Sequence, residues 1–235
     1  MNIIKVVLQP AFVLHSRAYR DTSLLVELLT MQYGRLTVVA RGVRSMKSRL
    51  QGILMPFLPL LVSFSGKTDL RTLQQAEVNG LSYELRGNVL LSGFYLNELL
   101  IRLLPNHESY PKVYQAYKNT LEGLVDSKQP EIELRLFEKC LLSNLGYGLQ
   151  LDRTIKHELV LPEEQYIFEF GNGLSKAKTN NAYNYSGKSL LALQAENLST
   201  ATELRDAKRL LRGVLADLLG DKPLKSRELF NKTSS

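Results

Sequence analysis

Four cations, Arg41, Arg44, Lys47 and Arg49, fall within nine residues, and no Asp or Glu occurs between Glu27 and Asp69. Side chains of this type at this spacing suit one kind of chemistry: they neutralise successive phosphates of a polyanion and release its counterions. Carboxylates close by would cancel that field, and ordinary protein surfaces mix both signs. Gly42, Ser45 and Ser48 leave the cations room to splay. Arg35 stands at the head of the stretch. Tyr19, between Arg17 and Arg20, is a ring on which an unpaired base could stack. Tyr19, Arg35, Arg41, Arg44, Lys47 and Arg49 are therefore the candidate nucleic-acid contacts; the plainer alternative is a solvated loop beside a strand.

Catalytic chemistry finds no comparable pattern. His15, His107 and His157 are the only histidines, and no two of them have the spacing of a metal-binding helix pair. Ser186-Gly187-Lys188-Ser189 resembles the end of a phosphate-binding loop, but the first glycine of that motif would fall on Ala182. A metal-dependent nuclease would need clustered carboxylates beside the cations, and residues 28–68 hold none. Glu131, Glu133 and Glu138 punctuate an amphipathic helix, and Glu163 with Glu164 reads as loop charge. No catalytic residue, metal or cofactor is expected.

The elements that must carry the cations come in two sets. From Gln9 to about Val78 short β-type runs alternate with turn signals: Ala11–His15, Leu24–Thr30, Leu36–Ala40, Pro56–Ser65 and Leu70–Val78. The first residues, with Lys5, Gln9 and Pro10 interrupting the apolar run, read as a strand and not as a signal peptide. Five short strands in a basic segment suit a small barrel, with an OB-fold the first candidate; periodicity alone also fits an SH3-like barrel. Phe12, Phe57 and Phe64 lie within apolar runs and are expected in the barrel core. After Gly80 the period becomes helical, with helices over Leu90–Leu104, Tyr110–Leu124, Pro130–Leu145 and Thr200–Leu219, the last opened by a Thr200/Glu203 capping box. Between them, residues 149–186 read as an inserted hairpin around Tyr166–Phe170 and its Gly171-Asn172-Gly173 turn. The expected class is α+β in two parts: an OB-fold β-barrel over 1–80, then a mainly α-helical domain over 81–235 with a small β-hairpin insertion.

Charge divides along the same line. Residues 1–80 hold ten Lys and Arg against four Asp and Glu, and the remainder holds 20 against 19. That asymmetry suggests a basic module facing a polyanion, joined to a module with another task. Cys140 is the single cysteine, which excludes a disulfide or multi-cysteine zinc site within one chain and suits a reducing compartment. The longest uncharged apolar block, Ile53–Val62, is ten residues with two prolines inside it, too short to span a bilayer. A cytoplasmic protein without a membrane partner is expected.

The segments AFVLHSRAYRDTSLLVELLT, YGRLTVVARGVRSMKSRLQGILMPFLPLLVSFSG, GFYLNELLIRLL, LRLFEKCLLSNLGYG and KPLKSREL follow one another in this order. Together they resemble the RecO family of bacterial recombination mediators, from about Ala11 to Phe230. The resemblance implies an N-terminal OB-fold and a helical domain in a nucleoid-associated protein of the RecF pathway. Such a protein binds single- and double-stranded DNA, anneals complementary strands, associates with RecR and helps RecA load on coated gaps. RGVRSMKSR matches the family's DNA-binding loop. Family members also hold the acidic C-terminal tail of single-stranded-DNA-binding protein in a pocket of the helical domain. Here LRLFE matches that helix, so Leu134, Arg135, Phe137 and Leu141 inherit the role, with Arg135 set against a carboxylate by two parallel hydrogen bonds. Some relatives carry a four-cysteine zinc module after LGYG; this chain has no Cys from Leu141 onward, so no zinc is expected. An RNA-binding or ribosome-associated OB-fold protein, or a scaffold whose charge serves solubility, would share the basic barrel.

Overall fold

The structure is a computed structural model and describes residues 4–45, 48–67, 69–179 and 181–226. Two compact units divide the chain: one runs to Ser127 and includes the segment from Leu224, the other spans Lys128–Pro223.

The first unit begins with five strands, β1 (Ile4–Tyr19), β2 (Ser23–Thr30), β3 (Gly34–Ala40), β4 (Leu60–Gly66) and β5 (Leu70–Val78). They close into a barrel in the order β1-β2-β3-β5-β4, with β3 and β5 parallel and every other pair antiparallel. This is the connectivity of an OB-fold. The alternation expected of β3 holds: Leu36, Val38 and Ala40 enter the interior with Val26, Leu28, Leu60, Val62 and Phe64, while Arg35, Thr37 and Val39 face outward. The first strand is far longer than Ala11–His15. Its first half pairs with β4 and its second with β2, and register shifts after Val6 and Val13 break the period-two pattern by which a strand is recognised. The fourth starts only at Leu60 because Pro56 and Pro59 have no amide to donate to a ladder.

Phe64 occupies the barrel core as expected, whereas Phe12 and Phe57 do not. Ala11 and Val13 point inward, so alternation turns Phe12 to the outer face, where its ring meets those of Tyr83, Tyr114 and Tyr117 at 6.2, 5.6 and 5.2 Å. Those last two rings belong to α2 (Pro111–Asp126), which with α1 (Gly87–Leu103) covers this side of the barrel. Phe57 stacks at 5.4 Å on Phe94 of α1; a side chain at Gly93 would strike the Phe57 ring at 2.8 Å, so glycine sets that approach. A polar pair is buried in the same seam: the Tyr117 hydroxyl donates to Asn97 Oδ1 at 2.6 Å, and Asn97 Nδ2 donates to the Leu14 carbonyl at 2.9 Å.

The C-terminal segment returns to α1. Leu224 is buried, and the Glu98 carboxylate accepts from the Lys225 amide, the Ser226 amide and the Ser226 hydroxyl at 2.9, 2.9 and 2.7 Å. Burial pushes Glu98 up, but the Ser226 and Lys225 hydrogen bonds and the Arg102 charge outweigh it and hold the carboxyl below its usual range. A depressed carboxyl stabilises the folded form above its unfolded pKa of ~4.3, and the contribution disappears as pH falls through the lower folded value. Hydrogen exchange at the Lys225 and Ser226 amides is therefore expected to accelerate below about pH 4 relative to the α1 core. In Glu98→Gln that acid step should vanish; a step of equal size in the variant would remove Glu98 as its cause.

The second unit comprises α3 (Pro130–Asn144), the strands β6 (Gln165–Glu169), β7 (Gly173–Lys176) and β8 (Tyr185–Ser186), α4 (Gly187–Gln194) and α5 (Ala201–Leu219). Gly146, at φ +87, ends α3 in a Schellman turn: the Tyr147 amide donates to Leu142 O and the Gly146 amide to Ser143 O. The inserted hairpin is present as β6–β7, and a third strand, β8, extends it to the order β7-β6-β8. The Thr200/Glu203 capping box opens α5 as expected.

Candidate nucleic-acid interface

The hairpin register brings the cations together. Tyr19 pairs with Ser23 at the β1–β2 turn, and Leu24 pairs with Ala40, so the residues leaving β3 emerge beside that turn. The Arg44 amide donates to Thr22 O at 2.9 Å and Arg44 Nη1 to Arg20 O at 3.3 Å, while the Arg20 guanidinium lies 5.2 Å from the centre of the Tyr19 ring. Gly42 takes φ +68, which reverses the chain and lets Val43 drop into the barrel core. Arg41 and Arg44, on either side of that anchor, remain exposed. The Ser48 amide donates to Ser45 O at 3.0 Å, and exposed Arg49 follows. Leu54 and Leu58 then enter the core, so the cationic loop is pinned at both ends. Lys47 lies outside the described residues.

Arg17, Arg20, Arg41, Arg44 and Arg49 are all exposed, and among the described residues none forms an ion pair with a carboxylate. The nearest acid in sequence is Asp21, exposed in the same turn. Arg17 and Arg20 join the candidate cations, and their flanking of Tyr19 is the signal for them in the sequence. Arg35 is placed differently. Its Nη1 bonds Glu27 Oε2 at 3.1 Å, its Nε donates to Leu104 O at 3.0 Å, and Thr37 donates to the other Glu27 oxygen at 2.7 Å. Arg35 thus neutralises the one carboxylate on the outer face of β2 and β3, away from the cationic loop.

At that end of β3, the connection between α1 and α2 lies against the barrel. The His107 amide donates to Arg35 O at 2.8 Å, and a side chain at Gly34 would collide with the Glu108 carbonyl. Arg71 of β5 points inward with Leu73, over the Phe64 ring at 5.3 Å, and is 7% exposed. Sequence reasoning missed it. In LRTLQQAEV the apolar Leu70, Ala76 and Val78 share the other parity, and a register shift in the β4–β5 pairing separates the inward Arg71 and Leu73 from the inward Ala76, so no local signal marked it.

On α3, Leu134, Arg135, Phe137 and Leu141 are all buried. Arg135 Nη2 donates to Glu138 Oε1 at 2.6 Å, and its Nε and Nη1 have no hydrogen-bond partner. The carboxylate facing Arg135 in this structure is its own helix neighbour. The Ser186–Ser189 stretch is the start of α4: Ser186 caps the Ser189 amide at 3.1 Å, and a side chain at Gly187 would collide with the Leu161 carbonyl. It is a packed helix cap and leaves no phosphate cradle. Among the described residues no cluster of three His, Cys, Asp or Glu could hold a metal, and no helix is long and apolar enough to cross a membrane.

Comparison with known proteins adds what geometry alone does not. The family model described as Recombination protein O N terminal matches residues 1–81, and Recombination protein O C terminal matches residues 86–228. A DNA repair protein RecO of Coxiella burnetii (strain RSA 493 / Nine Mile phase I) is 48% identical over 228 residues, covering 96% of this chain and 98% of that one. The DNA repair protein RecO of Methylococcus capsulatus is 42% identical over 231 residues, covering 98% and 95%. That of Photobacterium profundum is 40% identical over 224 residues, covering 95% of each. An OB-fold barrel whose exposed Arg17, Arg20, Arg41, Arg44 and Arg49 are unmatched by carboxylates among the described residues and two family models spanning nearly every residue agree, and the chain belongs to the RecO family of DNA repair proteins.

Proposed function

We propose that this chain is a non-catalytic mediator that binds DNA, anneals complementary single strands and helps RecA load onto gaps coated by single-stranded-DNA-binding protein. The observation that carries the reading is the group of exposed arginines at the β1–β2 turn and the loop after β3, without carboxylate partners among the described residues. Cations there screen the repulsion between two phosphate backbones and lower the electrostatic cost of bringing complements together. Base pairing supplies the sequence match. The barrel over 1–80 makes the DNA contact, and residues 81–235 serve partners: RecR, and the acidic tail of the single-strand binder. Holding that tail keeps the annealer on coated DNA at raised local concentration without displacing the coat everywhere.

The test is annealing of complementary oligonucleotides coated either with intact single-stranded-DNA-binding protein or with one lacking its acidic tail. Acceleration is expected with the intact coat and should fall by about a hundredfold with the truncated one, the low end of what tethering yields. Acceleration indifferent to the tail would leave annealing and discard the tether. No acceleration on either coat by folded protein, with tighter binding to structured RNA, would replace this reading by an RNA-binding one.

A further inference from the structure

Arg71 is a guanidinium inside the rim of a β-barrel, without a counter-ion among the described residues. Its Nε and Nη1 have no hydrogen-bond partner, and no carboxylate pairs with it among the described residues. A buried charge in that state is costly, and structures ordinarily place an anion beside it. The side chains around it are mostly bases. His107, from the connection between α1 and α2, also has an unpartnered Nδ1, and exposed Lys67 stands in the β4–β5 turn. Arg35 is already matched to Glu27. Among the described residues Asp69 is the acid that approaches, with Oδ1 3.6 Å from His107 Nε2 and its backbone hydrogen-bonded to the ring, and its side chain is 99% exposed. Glu108 follows His107, and its carbonyl packs on Gly34. His107 itself is held at φ +62, an uncommon conformation for a residue other than glycine, by the bond from its amide to Arg35 O.

We propose that Arg71 and His107, with Lys67, form a phosphate site at the β4–β5 end of the barrel, taking a backbone phosphodiester of a single strand bound also by the 41–49 loop. This inference rests on the nucleic-acid reading above. It gives the strand two anchored ends: one at the β1–β2 turn with the cationic loop, the other at the β4–β5 turn. Those two turns flank the β2–β3 face across which OB-folds bind oligonucleotides. Arg71 supplies charge from beneath, and His107 and Lys67 meet the phosphate from the solvent side. Burial and the Arg71 charge, opposed by Asp69 and joined by Arg35, hold the free His107 below the ordinary histidine range. A phosphate placed there reverses the balance, because an anion within a few ångströms favours the imidazolium. The strand therefore binds more tightly as pH falls.

The experiment follows the three histidine rings by NMR titration of the full-length protein, free and saturated with a single-stranded oligothymidylate at low salt. The His107 pKa is expected to rise on binding. Oligonucleotide affinity at about 0.1 M salt should increase about fivefold between pH 7.5 and pH 5.5, the worth of one added phosphate contact. That gain should be absent in His107→Asn, a substitution that tolerates the left-handed backbone. Bound oligonucleotide with an unmoved His107 titration would overturn the site while leaving the loop contact intact. Failure of any oligonucleotide to bind would overturn the nucleic-acid reading and this inference with it.

Discussion

Arg135→Ala is expected to lower the unfolding free energy by about 3–5 kcal/mol, the cost of breaking a buried ion pair by removing one partner. Arg135 is 3% exposed and Glu138 fully buried, and their bond is 2.6 Å long between residues three apart on α3. Taking away the guanidinium removes a charge-assisted hydrogen bond from a carboxylate that water cannot reach. Replacing both by Leu should recover most of that loss, since apolar pairs of similar volume commonly match or exceed a buried salt bridge. Urea unfolding of the two variants checks this; equal stability of Arg135→Ala and the parent would show that the carboxylate finds another partner. The same pair of variants bears on the acidic tail. A tail carboxylate at Arg135 has to compete with Glu138 or use the unpartnered Nε and Nη1. If the folded double-Leu variant loses the tail peptide and keeps naked DNA, Arg135 is the grip. If it keeps both, the grip moves elsewhere, and a cavity of about 400 Å³ lined by Tyr147, Arg153, Phe168 and Phe170 offers an arginine beside apolar walls.

Local signals carried the sequence reading as far as local physics reaches. Alternation placed the interior face of β3, Thr200 with Glu203 placed the start of α5, and Gly146 placed the end of α3. What it could not place depends on partners distant in the chain. The full length of β1 needs both β2 and β4 as neighbours, and the parallel β3–β5 pairing that closes the barrel joins Thr37 to Leu70 with no sequence cue. The eight-residue α4 is too short to show a helical period, and its Ser-Gly-Lys-Ser start read as a failed phosphate loop when it was a serine cap. For the candidate site, the absence of carboxylates over 28–68 located the cationic loop. It could not show that Arg35 is spent on Glu27, because that acid lies eight residues upstream and meets Arg35 only across the β2–β3 hairpin. A charge count treats every arginine alike; pairing separates Arg41, Arg44 and Arg49 from Arg35 and Arg135.

That separation sets the size of the effect on DNA. Replacing Arg41, Arg44 and Arg49 together by Ala is expected to weaken single-strand binding about a hundredfold at about 0.1 M salt. The figure follows from counterion release: each phosphate contact steepens the logarithmic salt dependence on single strands by ~0.7, which is about fivefold per contact at that concentration. The slope itself should therefore flatten by about 2, and the wild-type and variant curves should converge near 1 M. Arg35→Ala, by contrast, should leave the slope nearly unchanged, because its charge is already matched by Glu27, and should instead be felt in stability through the lost bonds to Glu27 and Leu104. Fluorescence anisotropy of a labelled oligonucleotide over a salt series distinguishes the two. A triple variant with the parent's slope would show that the loop cations do not meet phosphates, and the strand would then have to be sought on Arg17 and Arg20 beside Tyr19. Near-parental thermal unfolding of the triple variant is expected, since Val43, Leu54 and Leu58 hold the loop to the barrel, and of the three arginine side chains only Arg44 adds a bond, an exposed one to the Arg20 carbonyl at 3.3 Å.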